Sequence, residues 1–491
     1  MVYLGGNAQH ANGLADSWVM AGFLTVAVLV VIRVWGGTYL CRNWRSAATE
    51  MRWGEPASGN VCTSPTSRLW LLKFQHPCCF QVCERIMTNA ERTVVCLASY
   101  FKGVEFLREV KRQGCRVVLV TKEKFRHEDW PFESLDEFIP LPNDATPELF
   151  VYTVAQLARP RKLHTVVALE EFDVLTAALI REHLRLPGMG STTARHFRDK
   201  LAMRIEAEQA GVRVPEFVHV LNYQDLDEYM KRVPPPWVMK PRTDVSAIGI
   251  KKLYDSEQVW QTIDYLDARD RLSERSSNYV LERFIPGDVY HVDSLVENGE
   301  VIFAGVNRYG RPPMSVAHDG GVFTTQTLPY DSPDRAALLD INRKLITGLK
   351  MRRGATHAEF IKSAESGEFY FLEIAARVGG AYIAEALEAA SGVNIWAEWA
   401  KIELGRGEVP YVLPPTRQEY GGVALCLARQ EYPDTSPFTD PEIVYRVKKR
   451  YHIGLVVRST SHERVTALLQ DYVARFERDY CAIIPPLERP E

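Results

Sequence analysis

Apolar and polar positions fall into a regular rhythm from Arg92 onward. Thr93–Ser99 (TVVCLAS) is a short, nearly unbroken apolar run of the kind that forms a strand buried on both faces. Val104–Gly114 then shows helical spacing and stops at a glycine, and Cys115–Thr121 (CRVVLVT) is a second strand. The segment DEFIPLP predicts a third strand and His164–Glu171 a fourth, with a helix following through Leu184. Strands alternating with helices imply a parallel, doubly wound sheet. No G-x-G-x-x-G follows the first strand, so a dinucleotide site is not expected there.

After the loop LRLPGMGST a new helix begins near Thr193, and a second region runs to about Gly407. It mixes strands (WVMK, NYVLERFI) with helices such as Arg335–Leu349. Tyr411–Thr416 reads as a linker. Beyond it lie strands around Gly422–Leu427 and Gly454–Arg458, then a helix with Val465, Leu468, Leu469, Tyr472, Val473 and Phe476 on one face. The expected divisions are 1–86, 87–190, 191–410 and 411–491, and the last is expected to pack on the third and help wall its pocket.

The chain has 491 residues, enough for two to four domains, and its net charge of -3 argues against a nucleic-acid-binding surface as the main function. Cysteines show no metal-ligand spacing and read as free thiols in a reducing compartment. The first 86 residues stand apart, because they hold five of the nine cysteines and five of the ten tryptophans without clear periodicity after Leu40. Within them, residues 18–40 form a candidate membrane-spanning helix, and Arg42, Arg45 and Arg52 beyond it would keep the rest of the chain in the cytoplasm. Three readings stay open: a single-pass anchor, a loosely folded extension, or an over-extended start with Met87 as the natural beginning.

Candidate chemistry concentrates in HAEFIKSAESGEFYFLEIAARVGG, His357–Gly380. Glu359 and Glu373 are symmetric about Ser366 in the turn AESG, so an antiparallel hairpin sets them face to face, with Cβ atoms about 5 Å apart. Two such carboxylates repel unless a proton, a cationic side chain or a metal ion intervenes. Magnesium suits the pair, being a hard cation that shares carboxylate and phosphate oxygens. Arg377, with Gly379 and Gly380 just after it, adds a charge fitted to a transferring phosphoryl group. A register slip that turns one Glu to solvent is the plain alternative.

Upstream, Lys240 ends an apolar strand at Pro241, and Ser246–Ile250 is a small-residue turn whose N–H groups, around Ser246 and Gly249, suit phosphate. Lys200 lies in a helix that closes at Gly211 before Pro215. Taken singly, each lysine reads as a solvated end or face. YVLERFIPGDVYHVD brings Glu282 to a strand end beside a hinge at Phe284 and Ile285, then Gly287 and Asp288, an arrangement that suits adenine and ribose and equally suits a surface hairpin.

The ordered set resembles the ATP-grasp superfamily over residues 90 to 410, and within it bacterial carboxylate–amine ligases that join amino acids. The matching pieces are Asp199-Lys200, Arg204, Gly211 and Pro215, then Lys240-Pro241, LERFIPG, and Glu359 with Glu373, Arg377, Gly379 and Gly380. That resemblance implies an α/β and α+β multidomain protein: a Rossmann-like pre-ATP-grasp domain, a two-lobed ATP-grasp domain and a small C-terminal α+β segment. It further implies that Lys200 and Lys240 contact ATP phosphates, with Ser246 and Gly249 in the covering loop. Glu282, Phe284, Ile285 and Asp288 would serve the nucleoside. Glu359 and Glu373 would hold two Mg²⁺ (or Mn²⁺) ions, and Arg377, with Gly379 and Gly380, would hold the acyl phosphate or substrate carboxylate. Arg308 is the favoured acceptor-side residue in a loop that also carries Tyr309 and His318.

The implied reaction is ADP-forming ligation of a small-molecule carboxylate, such as an amino acid, to an amine through an acyl phosphate. A homodimer is left open, and no nucleic acid partner is expected. Three departures stand out. Ala375 replaces a usual Asn metal ligand, the phosphate loop is poor in glycine, and Asp288 stands where Glu is common. Two rival readings are a nucleotide-binding sensor or scaffold without turnover and a biotin carboxylase-like enzyme. The latter lacks support at Val378–Ala381, where Q-V-E-H is expected.

Overall fold

A computed structural model of the chain describes residues 92–244 and 248–483. The candidate span at 18–40 lies outside the described residues, and among those described no helix is long and apolar enough to cross a membrane. Among the described residues the architecture is mixed α/β with three sheets.

The first sheet forms from β1 (Thr93–Ala98), β2 (Arg116–Lys122), β3 (Glu137–Leu141) and β4 (Leu163–Ala168), all parallel in the order β3-β2-β1-β4. Its connections include α1 (Val104–Arg112) and α2 (Pro147–Ala158), and α3 (Val174–Leu184) follows β4. Strand β1 is buried along its whole length, which explains its unbroken apolar sequence. In α1 the apolar positions Phe106, Leu107 and Val110 face inward.

A short α4 (Ser191–Arg195) and then α5 (Lys200–Gln209) lead into the next sheet. It is antiparallel, in the order β5-β8-β6-β7, from β5 (Phe217–His219), β6 (Trp237–Pro241), β7 (Lys251–Leu253) and β8 (Tyr279–Arg283). Helices α6 (Tyr223–Arg232) and α7 (Ser256–Asp267) supply Leu226, Tyr229, Val259, Ile263 and Leu266 to its core beside Trp237 and Leu281.

The third sheet has eight strands in the order β13-β12-β9-β10-β11-β14-β16-β15. Its members are β9 (Gly287–Glu297), β10 (Glu300–Tyr309), β11 (Phe323–Thr327), β12 (Gly354–Ser363), β13 (Phe369–Ala375), β14 (Tyr420–Leu427), β15 (Ile443–Arg446) and β16 (His452–Ser459). The helices among them are α8 (Pro313–Asp319), α9 (Pro333–Gly348), α10 (Ile383–Ser391), α11 (Ile395–Gly405) and α12 (His462–Asp479). The C-terminal segment continues this sheet directly: β14 pairs antiparallel with β11, and α12 covers it with Val465, Leu468, Leu469, Tyr472 and Phe476. Residues 92–483 lie within one compact unit.

Candidate active site

Strand β12 runs between β9 and β13, and the register across the three decides the site. Glu359 lies opposite Glu373 on one side and His291 on the other. His357 lies opposite Ala375 and Asp293. Side chains alternate along a strand, so these six project from one face. Val292, Ala358, Phe360 and Ile374 point the other way into the main apolar core. The symmetry about Ser366 predicts the facing of Glu359 and Glu373. Nearer the turn a bulge leaves Leu372 unpaired and moves Phe360 opposite Phe371.

Two lysines converge here from separate elements. Asp199 caps α5, accepting from Leu201 N at 3.0 Å, and so fixes Lys200 at the helix start. Lys200 Nζ lies 3.0 Å from Glu373 Oε2 and donates to the Asp244 carbonyl at 2.6 Å. Burial favours a neutral Glu373 carboxyl, but Lys200 and Lys240 outweigh it and hold the group well below its usual range. Lys240, at the end of β6, sits 2.7 Å from Glu282 Oε2. Burial, reinforced by Arg204 and opposed by Glu282, brings Lys240 down to about 8.

Glu282 is the acid expected beside the nucleoside. Its carboxylate is held between Lys240 and Arg204, whose Nε lies 2.9 Å from Glu282 Oε1, and both acid and arginine are buried. A side chain held between two cations is placed to position Lys240. Phe284 has the Lys252 ammonium 3.7 Å from its ring centre, and Ile285 packs with Val289, Tyr309 and Ile361 at the join between the two antiparallel sheets. Ser246 lies outside the described residues. Gly249 takes φ +70° in the turn before β7.

Arg308 and Asp288 lie apart from the carboxylate pair. Arg308 is opposite Tyr290, and Asp288 is two residues before Tyr290, so both leave the sheet on the face away from the carboxylate pair. There they form an exposed ion pair at 2.7 Å. The expected loop placement hid this, because β10 extends through Tyr309. The neighbouring Tyr309 takes the productive face and donates to Glu359 Oε1 at 2.7 Å.

Arg377, two residues beyond β13, has its Nη2 3.1 Å from Glu171 Oε2. Arg198 Nη1 reaches Glu171 Oε1 at 2.8 Å, so one carboxylate from the loop after β4 joins two arginines. Burial disfavours the Arg377 charge, yet Glu171 and Glu170 more than offset this and raise its pKa. Gly379 passes so close to the site that an added Cβ would lie 2.6 Å from Asp293 Oδ1 and 3.1 Å from His357 Nδ1. Gly380 has open space at that position.

Sequence reasoning missed the group beneath the carboxylates. Asp293 is wholly buried, with Oδ2 2.5 Å from His291 Nδ1 and Oδ1 2.8 Å from His357 Nδ1. His357 Nε2 lies 3.5 Å from Glu359 Oε1 and 3.3 Å from the Tyr309 hydroxyl. Burial opposes charge on His357, but Asp293 with help from Glu359 raises it to about 9. The available signal was His291 and Asp293 at alternate positions of a strand, a polar pair on one face. A cavity of about 270 Å³ bordered by Arg181, Met189, Arg353 and Trp399 includes none of these residues.

Paired carboxylates on one sheet face, two buried lysines from α5 and β6 and a parallel N-terminal sheet define a nucleotide-dependent group-transfer architecture. The chain carries an ATP-grasp domain, matched at residues 233–385, preceded by a match to the ATP-grasp N-terminal domain at residues 107–188. The L-arginine-specific L-amino acid ligase of Bacillus subtilis is 24% identical over 295 residues, covering 57% of this chain and 69% of that protein. Alanine–anticapsin ligase of the same organism is 23% identical over 256 residues, covering 48% of this chain and 53% of its own length. A crystal structure of L-amino acid ligase from Bacillus licheniformis has a TM-score of 0.61 at 18% identity, covering 80% of this chain and 98% of that one. N5-carboxyaminoimidazole synthetase from Staphylococcus aureus complexed with ADP gives 0.60 at 17% identity, covering 78% of this chain and 97% of that one. The structural likenesses establish the fold.

Proposed function

We propose that this protein is an ADP-forming ligase that joins a small carboxylate, in the first instance an amino acid, to an amine. The observation that carries the reading is Glu359 directly opposite Glu373 on one sheet face, with Lys200 3.0 Å from Glu373 at its edge. The relatives named as amino-acid ligases support it.

The donor set fits a divalent cation: two carboxylates on adjacent strands, Glu373 a third exposed, and only Lys200 to displace from it. Glu359 and Glu373 would hold Mg²⁺ or Mn²⁺, two ions in the full form of this reading. A bound cation supplies charge neutralisation at phosphate oxygens. Lys200 and Lys240 bind and orient the polyphosphate, and Glu282 with Arg204 keeps Lys240 in place. Arg377 orients the anionic substrate, exchanging part of its contact with Glu171. In the first step a substrate carboxylate oxygen bonds to the γ-phosphorus and the β–γ bridging bond breaks, so ADP leaves. In the second, the amine nitrogen bonds to the acyl carbon, phosphate departs and the nitrogen gives up a proton. Water must be kept from the acyl phosphate between these steps.

The test is ADP release by the full chain with Mg²⁺ and a panel of amino acids, offered singly and in pairs. Release requiring a particular carboxylate and amine, and lost in Glu373→Gln, is expected. ATP binding with no release across the panel would favour the binding-protein reading. Absence of ATP binding would overturn both.

A further inference from the structure

Away from the carboxylate pair, the cavity of about 270 Å³ carries an excess of positive charge that the proposed reaction does not use. It lies where the N-terminal sheet meets the third sheet, bordered by β4, α3, the start of β12 and α11. Four cations line it, Arg181, Lys350, Arg352 and Arg353, against one acid, Glu403. That acid is already occupied. Its Oε1 accepts from Trp399 Nε1 at 3.1 Å, and its Oε2 accepts from Arg353 Nε at 3.2 Å.

Arg181 sets the chemistry of what fits. Its Nε donates to the Met189 carbonyl at 2.9 Å and its Nη1 to the Val166 carbonyl at 2.7 Å. Among the described residues it makes no ion pair, and its Nη2 makes no hydrogen bond. Burial lowers its pKa to about 10, opposed by Glu403 and reinforced by Arg353, so it is charged at neutral pH. Two neutral carbonyls hold this guanidinium in place without balancing it, and an anion would balance it. Arg353 uses its Nε on Glu403 and its Nη1 on the Arg406 carbonyl at 3.0 Å, which leaves its Nη2 over as well. The loop after α3 closes on the arginine stem: an added Cβ at Gly188 would lie 2.7 Å from Arg181 Cδ.

Val174, Met189 and Trp399 make the wall apolar elsewhere. At about 30 Å³ for each water, 270 Å³ is the room of about nine, the scale of a short branched-chain acid. We propose that this cavity binds a small aliphatic carboxylate with no adjacent ammonium group, its carboxylate received by Arg181 with Arg353 beside it and its apolar body against Met189 and Trp399. An ammonium group is disfavoured there, because four cations surround it and the single acid is taken. The assignment uses none of the residues of the ligase reading and does not rest on it. Ala355, on the cavity's border, precedes Glu359 by four positions of β12, about 13 Å along a strand, which sets the two sites apart.

Isothermal titration calorimetry of isocaproate into the full chain, with and without Mg²⁺·ADP, tests this. Isocaproamide has the same body without the charge, and leucine adds the ammonium; both are offered as competitors of isocaproate. The expected result is isocaproate binding that persists with Mg²⁺·ADP, against which both competitors are weaker by about tenfold or more, the worth of hydrogen bonds between charged groups. Arg181→Met should weaken isocaproate by a similar factor, with near-ultraviolet circular dichroism reporting that the variant is folded. Thr193→Trp, which narrows the cavity from a half-buried lining position and keeps Arg181, should weaken it too. Absence of isocaproate binding at millimolar concentration, equal competition by isocaproamide or leucine, or unchanged affinity in the folded variants would overturn the assignment and leave the ligase reading standing. Displacement of isocaproate by Mg²⁺·ADP would overturn it as well, by placing the acid in the nucleotide site.

Discussion

At the scale of single residues, the site depends on buried charges that hold one another in place. Asp293 is ringed by two imidazoles, and Glu282 by Arg204 and Lys240. Removing one member of such a group costs about 3–5 kcal/mol, because the partner remains buried without its counter-charge. The pH response of the first group follows from its pKa shifts. His357 is raised to about 9, above its unfolded value near 6.5. Its contribution is therefore fully present below pH 6.5 and is lost as pH rises through 9. Burial works against the Asp293 carboxylate, but His357 and His291 depress its pKa, so its contribution holds above about pH 4 and fades in acid. Urea unfolding in chelator should show stability declining between pH 6.5 and 9, by at most about 1.4 kcal/mol per pH unit from this proton. Asp293→Asn should be less stable at neutral pH and should flatten that decline. An undiminished slope in the variant would show that another group titrates there.

At the scale of elements, the Glu359–Glu373 hairpin was legible because a short turn ties both strands and leaves the register little freedom. The lysines taken singly read as a solvated strand end and a solvated helix face, and only their order among the other motifs singled them out. Arg308 was not legible, since a one-residue difference along β10 separates the face of Tyr309 from the face of Arg308. Nor was the His357–Asp293 contact, which joins positions 64 apart through a long-range strand pairing. Close approach at the end of β13 yields a direct test. An added Cβ at Gly379 would lie 2.6 Å from Asp293 Oδ1 and 3.0 Å from Ile383 Cγ2, both in buried surroundings. Gly379→Ala should therefore push Asp293 off its imidazoles and lower ligase turnover at least tenfold, while Gly380→Ala, with open space, should keep most of it. ADP-release kinetics on the pair check this. Equal activity of the two variants would mean that the β13–α10 turn yields without disturbing the site.

At the scale of the whole molecule, the parallel first sheet was readable from its strand–helix alternation, and the C-terminal segment was readable only as strands and an amphipathic helix. What the sequence does not carry locally is that β14 returns across nearly a hundred residues to pair with β11, Thr325 opposite Val423. Such a partner is chosen by packing of the assembled sheet and not by any turn. The consequence is that residues 420–479 complete the sheet holding the site. Without them, β11 would present an open edge of unpaired N–H and C=O groups next to apolar Val322, which is buried against the segment. The loss would also remove the core around Phe438, Tyr472 and Phe476. A chain ending at residue 412 should consequently aggregate or unfold well below the full chain's midpoint, and should lose nucleotide binding although Lys200, Lys240, Glu359 and Glu373 are all retained. Size-exclusion chromatography and thermal unfolding of the two chains side by side make the comparison. A soluble, monomeric truncation with an unchanged midpoint and intact ATP binding would show instead that the thirteen strands through β13 form a self-sufficient unit and that β14–β16 are an addition to it.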